Sequence, residues 1–300
     1  MFAHVRATTE GNLSDANCHP FSYGRLMFMH NGGIGCWGRV KRGLAVGVGE
    51  RWFGFVQGAT DSEWAFAVFL DCLDKAGIEP DAEPGKGGFG HSVLRKALLQ
   101  TIARINACIK DVVGEEGMGS EDSRSLLNFA VTDGQSVICS RYVSSKTDEA
   151  ASLFFSSGTS WKEVSPGIHA DYVMERRDKG SDIVLVASEP LTFERGMYYP
   201  LPFLPYTFIL PHALPSFLAS TNEKVDNWVT VPTNSTLTIS KQTVMIHPIV
   251  DEFYSEDPAH ERSAGFARAQ GQTVSVAVAG EGEGEGDRIV GGGEEGVEKG

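Results

Sequence analysis

The sequence predicts an α+β fold in which helices pack on sheets. Three observations point there. Short apolar runs at 2–9 and 26–30 end in polar residues and glycine, as buried strands do. Two helical patterns follow, at 64–73 and 92–113. Further short apolar runs fill the chain from 126 to 247. Strands, then two helices, then strands is the order of helices laid on sheets.

Taken in order, residues 2–9 and 26–30 are strands, with Tyr23-Gly24 as a turn between them. Thr60-Asp61-Ser62-Glu63 has the capping-box pattern, Thr at the N-cap and Glu at N3, before the apolar helix 64–73. Residues 81–89 are polar and rich in Gly and Pro, a loop. Leu94, Leu98, Ile102, Ile105, Ile109 and Val112 recur every three or four residues, the stripe of an amphipathic helix. The Gly/Glu/Ser stretch 114–124 reads as exposed. Residues 126–132 and 136–143 are two strands around a type I′ turn at Asp133-Gly134. Strands follow at 153–157, 183–187, 228–231, 236–239 and 244–247.

Residues 196–225 break the pattern. They hold prolines at 200, 202, 205, 211 and 215, and only two charges, Glu223 and Lys224. The uncharged stretch 197–221 is long enough to span a bilayer. Its prolines disfavour a spanning helix, because each removes a hydrogen bond or kinks the chain. The segment reads instead as translated intron: Gly196-Met197-Tyr198 is compatible with a donor-like signal and Val225-Asp226 with an acceptor. From about 255 periodicity is lost, and 271–300 carries ten glycines and seven acids against two bases. That composition predicts a disordered acidic tail over 255–300.

The 39 acids exceed the 26 bases by 13, which argues against nucleic acid and against an anionic membrane surface as partners. Five cysteines, at 18, 36, 72, 108 and 139, show no metal-ligand spacing. Cys36, Cys72, Cys108 and Cys139 sit in apolar runs and read as core thiols. Cys18 reads as a turn residue before Pro20, and His19 and His30 as residues that hold loops. No metal or cofactor is expected. No basic-then-apolar leader is visible at the start, so a reducing cytosol is the expected compartment.

Polar groups gather in the first 63 residues. Arg6 offers a planar fork for a carboxylate. Asp61 offers an anion for an ammonium group. Asn31 and Gly32 offer an amide and an unhindered N–H, the parts of an oxyanion hole. A ligand with a free α-carboxylate, a free α-amine and a distal amide uses all of them; glutamine and other γ-glutamyl compounds do so. Two plainer readings stand beside these: Asp61 as a helix first-turn acid and Asn31-Gly32-Gly33 as a tight turn.

The order H-x-R-x-x-T-x-G (4–11), N-x-H-P (17–20), H-N-G-x-I (30–34) and T-D-S-E (60–63) resembles the class II glutamine amidotransferases, N-terminal-nucleophile hydrolases. With Ala187-Ser188-Glu189-Pro190 it resembles most the fungal amidotransferase-like subunit of a cytosolic glutathione-degrading complex. The resemblance covers residues 2 to about 254, interrupted at 196–225. It implies a four-layer αββα sandwich and a domain over 1–254. It implies substrate binding by Arg6, Thr9 and Asp61, with Arg6 on the α-carboxylate and Asp61 on the α-ammonium, and an oxyanion hole at Asn31 and Gly32. The implied substrate is glutathione or glutamine, and the implied partner a peptidase-like subunit. The family's nucleophile is an N-terminal cysteine. This sequence begins Met1-Phe2-Ala3-His4, so the resemblance implies an N-terminal truncation. An inactive chain that only binds a γ-glutamyl ligand or a partner is the second expectation.

Overall fold

The computed structural model describes residues 1–4, 14–81, 88–118, 120–158, 160–165, 171–175, 182–190, 228–241, 243–257 and 260–275. Arg6, Thr9 and the segment 196–225 lie outside them.

β1 (Phe21–Tyr23) turns at Gly24, whose φ of +55° suits glycine, into β2 (Leu26–Gly33). Two helices not anticipated from the sequence follow, α1 (Trp37–Gly47) and α2 (Glu50–Phe55). α1 buries Val40 and Leu44 at helical spacing but carries glycines at 38, 43 and 47, whose low helix propensity disguises it. Then come α3 (Asp61–Lys75), α4 (His91–Val113), β3 (Leu126–Thr132) and β4 (Ser136–Arg141). β5 (Phe154–Gly158), the hairpin β6 (Ser160–Ser165) and β7 (Asp171–Glu175), and β8 (Ile183–Ala187) precede β9 (Val229–Thr230). β10 (Ser235–Ser240), β11 (Thr243–Pro248) and α5 (Gly265–Ala269) complete the described elements.

The main sheet is antiparallel throughout, in the order β1-β2-β3-β4-β10-β11. Side chains alternate between its faces. Phe28, Leu127, Phe129, Val131 and Ile138 join one core with α3 and α4, where Phe28 stacks on Phe66 at 5.2 Å. Cys139 and Leu237 face the other way, against Val231 with Leu153, Phe155 and Val186 of the second sheet region. That sheet runs β8-β5-β9. Helices, sheet and sheet are three layers, a mixed α/β chain with antiparallel sheets.

α3 is the central helix. Every residue from Ser62 to Leu73 is buried, which explains why its sequence is apolar on all sides. Thr60 caps it by accepting the Glu63 N–H at 3.3 Å. Glu63 does not return the bond; its carboxylate takes the N–H groups of Gln57 (2.8 Å) and Gly58 (2.6 Å) and so pins the preceding loop. The helix starts three residues before the apolar run because the cap itself opens it.

Three expectations are corrected. The β3–β4 turn is not type I′: of Asp133 and Gly134 only Gly134 has positive φ, +84°. Instead Asp133 Oδ1 accepts the N–H groups of Gln135 and Ser136. The stretch 114–124 is not exposed throughout, since Ser123 is buried. The acidic tail does not begin at 255: Phe266, Ala267 and Val274 pack with Leu126, Val143 and Ala150. Arg141, buried in β4, anchors this region by donating to Ala150 O, Ala151 O, Val231 O, Glu149 and Ser275 Oγ. Glycine-rich composition masked a segment fixed by buried side-chain hydrogen bonds. Residues 276–300 lie outside the described residues. No helix among the described residues is long and apolar enough to cross a membrane.

Candidate functional site

The site is built at the end of β2. Strand alternation sends His30 to the helical side and Asn31 to the opposite one. His30 is buried, with Nδ1 3.0 Å from Ser62 Oγ and Nε2 3.0 Å from Leu126 O. It therefore ties β2 to α3 and β3, the loop-holding role expected of it. Asn31 is half-buried, and its side chain makes no hydrogen bond among the described residues. Gly32 has φ +139°, and a Cβ there would lie 2.0 Å from Leu126 O. Only glycine lets β2 come this close to β3.

Asp61, at the first position of α3, reaches the same strand end. Its Oδ2 accepts the Ile34 N–H at 2.9 Å, and its Oδ1 accepts the Ser62 N–H at 2.8 Å. The carboxylate is oriented from two sides and remains half-buried.

These groups open onto a cavity of about 990 Å³. Its lining includes Asn31, Gly32 and Asp61, with His4 and Asn17 from the first two motifs, Ser188 and Glu189 just after β8, Asp122 and Arg124, and Phe266 with 270–273. Three of the predicted residues, Asn31, Gly32 and Asp61, are thus brought together. Arg6 and Thr9 lie outside the described residues. Cys18 is exposed at the end of a short turn, its Sγ 3.7 Å from Ser14 O, and is not among the cavity residues. Cys36 is half-buried: it packs against the main core, as expected of it, and also lines the cavity. Among the described residues no group of three or more His, Cys, Asp or Glu is arranged to hold a metal.

Arg124 and the segment 266–273 were missed from sequence. Arg124 lay in a stretch taken as exposed, and 266–273 in a stretch taken as tail. The guanidinium pairs with Asp148 at 2.6 Å and lies 4.2 Å from the Phe266 ring centroid.

Residues 1–107 match the family model of the class II glutamine amidotransferases. The chain is 48% identical over 271 residues to the Saccharomyces cerevisiae protein described as probable glutamine amidotransferase DUG3. The match covers 90% of this chain and 65% of that protein, so the chain spans just under two thirds of its relative's length. Among solved structures, a glutamine aminotransferase class-II domain protein from Silicibacter pomeroyi is similar at 19% identity and a TM-score of 0.44. That match covers 79% of this chain and 74% of the other. A predicted glutamine amidotransferase from Pseudomonas aeruginosa is similar at 16% identity and a TM-score of 0.41, over 77% of this chain and 65% of that one.

Proposed function

We propose that this chain, whose residues 1–107 match the class II glutamine amidotransferase model, is a member of that family that binds the γ-glutamyl head of glutathione for hydrolysis of the γ-glutamyl amide bond. One observation carries the reading. The H-N-G, T-D-S-E and A-S-E-P segments, far apart in sequence, supply Asn31, Gly32, Asp61, Ser188 and Glu189 to a single cavity.

In this reading Asp61 accepts the substrate α-ammonium, its carboxylate held in place by Ile34 and Ser62. Arg6 takes the α-carboxylate through its two-pronged fork, beside Thr9. Asn31 and the N–H of Gly32 receive the oxygen that gains charge as the scissile carbonyl is attacked. The nucleophile is the family's N-terminal cysteine, whose α-amine takes the thiol proton. A thioester forms, the amine leaves, and water releases glutamate. The finer architecture in this reading is the four-layer N-terminal-nucleophile sandwich. The domain includes the packed residues Phe266, Ala267 and Val274 beyond 254, and 196–225 is translated intron, which spliced transcript sequence tests. The setting is the cytosol with a peptidase-like partner subunit; all five cysteines being free supports a reducing compartment.

Glutamate release from glutathione by protein carrying the terminal cysteine tests the reading. Asn31→Ala is expected to lower kcat by about 10²–10³ with little change in KM, because the oxyanion exists only near the transition state. Unchanged kcat overturns the oxyanion assignment.

A further inference from the structure

The cavity of about 990 Å³ is lined along 266–273 by two carboxamides, Gln270 and Gln272. Neither side chain makes a hydrogen bond among the described residues, so both are available to a ligand.

This part of the lining is a built feature. α5 ends in a Schellman cap: the Gly271 N–H donates to Arg268 O at 2.9 Å and the Gln272 N–H to Ala267 O at 2.9 Å, with Gly271 at φ +71°. The glycine fixes the turn between the two glutamines. Ser152, itself buried, then ties it down. Its N–H donates to Thr273 O at 2.8 Å and its hydroxyl to Ser188 O at 2.7 Å. With that proton committed, the 2.8 Å contact between the Ser152 and Thr273 hydroxyls has Thr273 as donor. Ser188 and Thr273 both line the cavity, so one buried serine sets two parts of its lining relative to each other. Phe266 is seated under the Arg124 guanidinium.

We propose that Gln270 and Gln272 form the subsite for the part of the substrate beyond the scissile γ-glutamyl bond, and that they select γ-glutamyl peptides over free glutamine. The inference rests on the glutamyl reading of Asn31 and Asp61. A carboxamide presents one acceptor and two donors, which matches the C=O and N–H of a peptide group. A γ-glutamyl peptide carries such a group past the γ-carbonyl; glutamine carries only an ammonia-sized leaving group there.

Calorimetric titration of the full 300-residue chain with glutathione and with L-glutamine tests it, comparing wild type, Gln270→Ala and the double variant Gln270→Ala/Gln272→Ala. Loss of two neutral hydrogen bonds weakens glutathione binding on the order of tenfold in the double variant. Glutamine affinity stays within about twofold, and the thermal midpoint is unchanged. Equal weakening of both ligands, or no weakening of either, overturns the subsite and leaves the glutamyl reading standing. A wild-type chain that binds neither ligand overturns the glutamyl reading and the subsite with it. Gln270 is exposed, so the single variant keeps the test available if the double variant is unstable.

Discussion

Asp61 Oδ2 accepts the backbone N–H of Ile34 at 2.9 Å, joining the first turn of α3 to the end of β2. Ile34 is buried, so its N–H has no easy alternative partner. The same carboxylate takes the Ser62 N–H. Asp61→Ala removes both acceptors and a helix first-turn charge. The expected loss is about 1–3 kcal/mol for the stranded N–H group, with about 0.3–1 kcal/mol more from the helix dipole. Urea unfolding measures it, with an unchanged m-value. Asp61→Asn keeps an acceptor oxygen and should recover most of the loss.

Gly32→Ala should be far more damaging. Its Cβ would stand 2.0 Å from Leu126 O, a backbone atom that cannot move without opening the β2–β3 pairing. The φ of +139° adds strain for any L side chain. A loss of about 3 kcal/mol or more, or insoluble protein, is expected. A soluble variant with wild-type stability contradicts the close approach.

Asp71 predicts an acid limb in stability. Burial pushes its carboxyl up, but Lys75 at 2.7 Å, the Gly49 N–H at 3.0 Å and Arg104 outweigh burial and hold it below the usual carboxylate range. A carboxyl depressed in the folded state stabilises fully above its unfolded pKa of about 3.9. The contribution is lost as pH falls below that toward the folded value. The stability gap between wild type and Asp71→Asn should be constant from pH 7 to about 5 and shrink below about 4. Urea titrations across that range check it.

Thiol labelling should follow exposure and pKa. Cys18 is exposed, whereas burial pushes the Cys139 thiol up to about 12 and raises Cys72 as well. The thiolate is the reacting form. Iodoacetamide near neutral pH should modify Cys18 first, and Cys72 and Cys139 only after denaturation. Cys36 should label slowly and be protected by a bound γ-glutamyl ligand, since it lines the cavity.

Much of the scaffold was legible from residue pattern. Leu94, Leu98, Ile102, Ile105 and Ile109 repeat at helical spacing because one face of α4 is buried. Thr60 announces α3 because its hydroxyl is the cap. That Asn31, Gly32 and Asp61 come together at one cavity was expected from their motifs. α1 was not, because three glycines of low helix propensity lie within it. The 266–273 part of the cavity lining was not either. Phe266 and Val274 are isolated apolar residues in a polar, glycine-bearing stretch, and their partners Leu126 and Val143 lie far back in the chain. No local periodicity records such a contact. Gln270-Gly271-Gln272 carries a helix-stop signal at its glycine, but a five-residue helix gives the reader too little pattern to stop.

In the proposed function Asp61 binds the substrate α-ammonium as well as holding Ile34. Calorimetry of glutathione and L-glutamine binding to wild type and Asp61→Asn tests it most directly, with circular dichroism as the folding control. A desolvated ammonium left without its anion costs on the order of 2–5 kcal/mol, so the variant should bind both ligands roughly thirtyfold to several thousandfold more weakly while folding normally. Wild-type affinity for both ligands in Asp61→Asn would contradict that role, leaving Asp61 as the first-turn acid of α3 that pins Ile34.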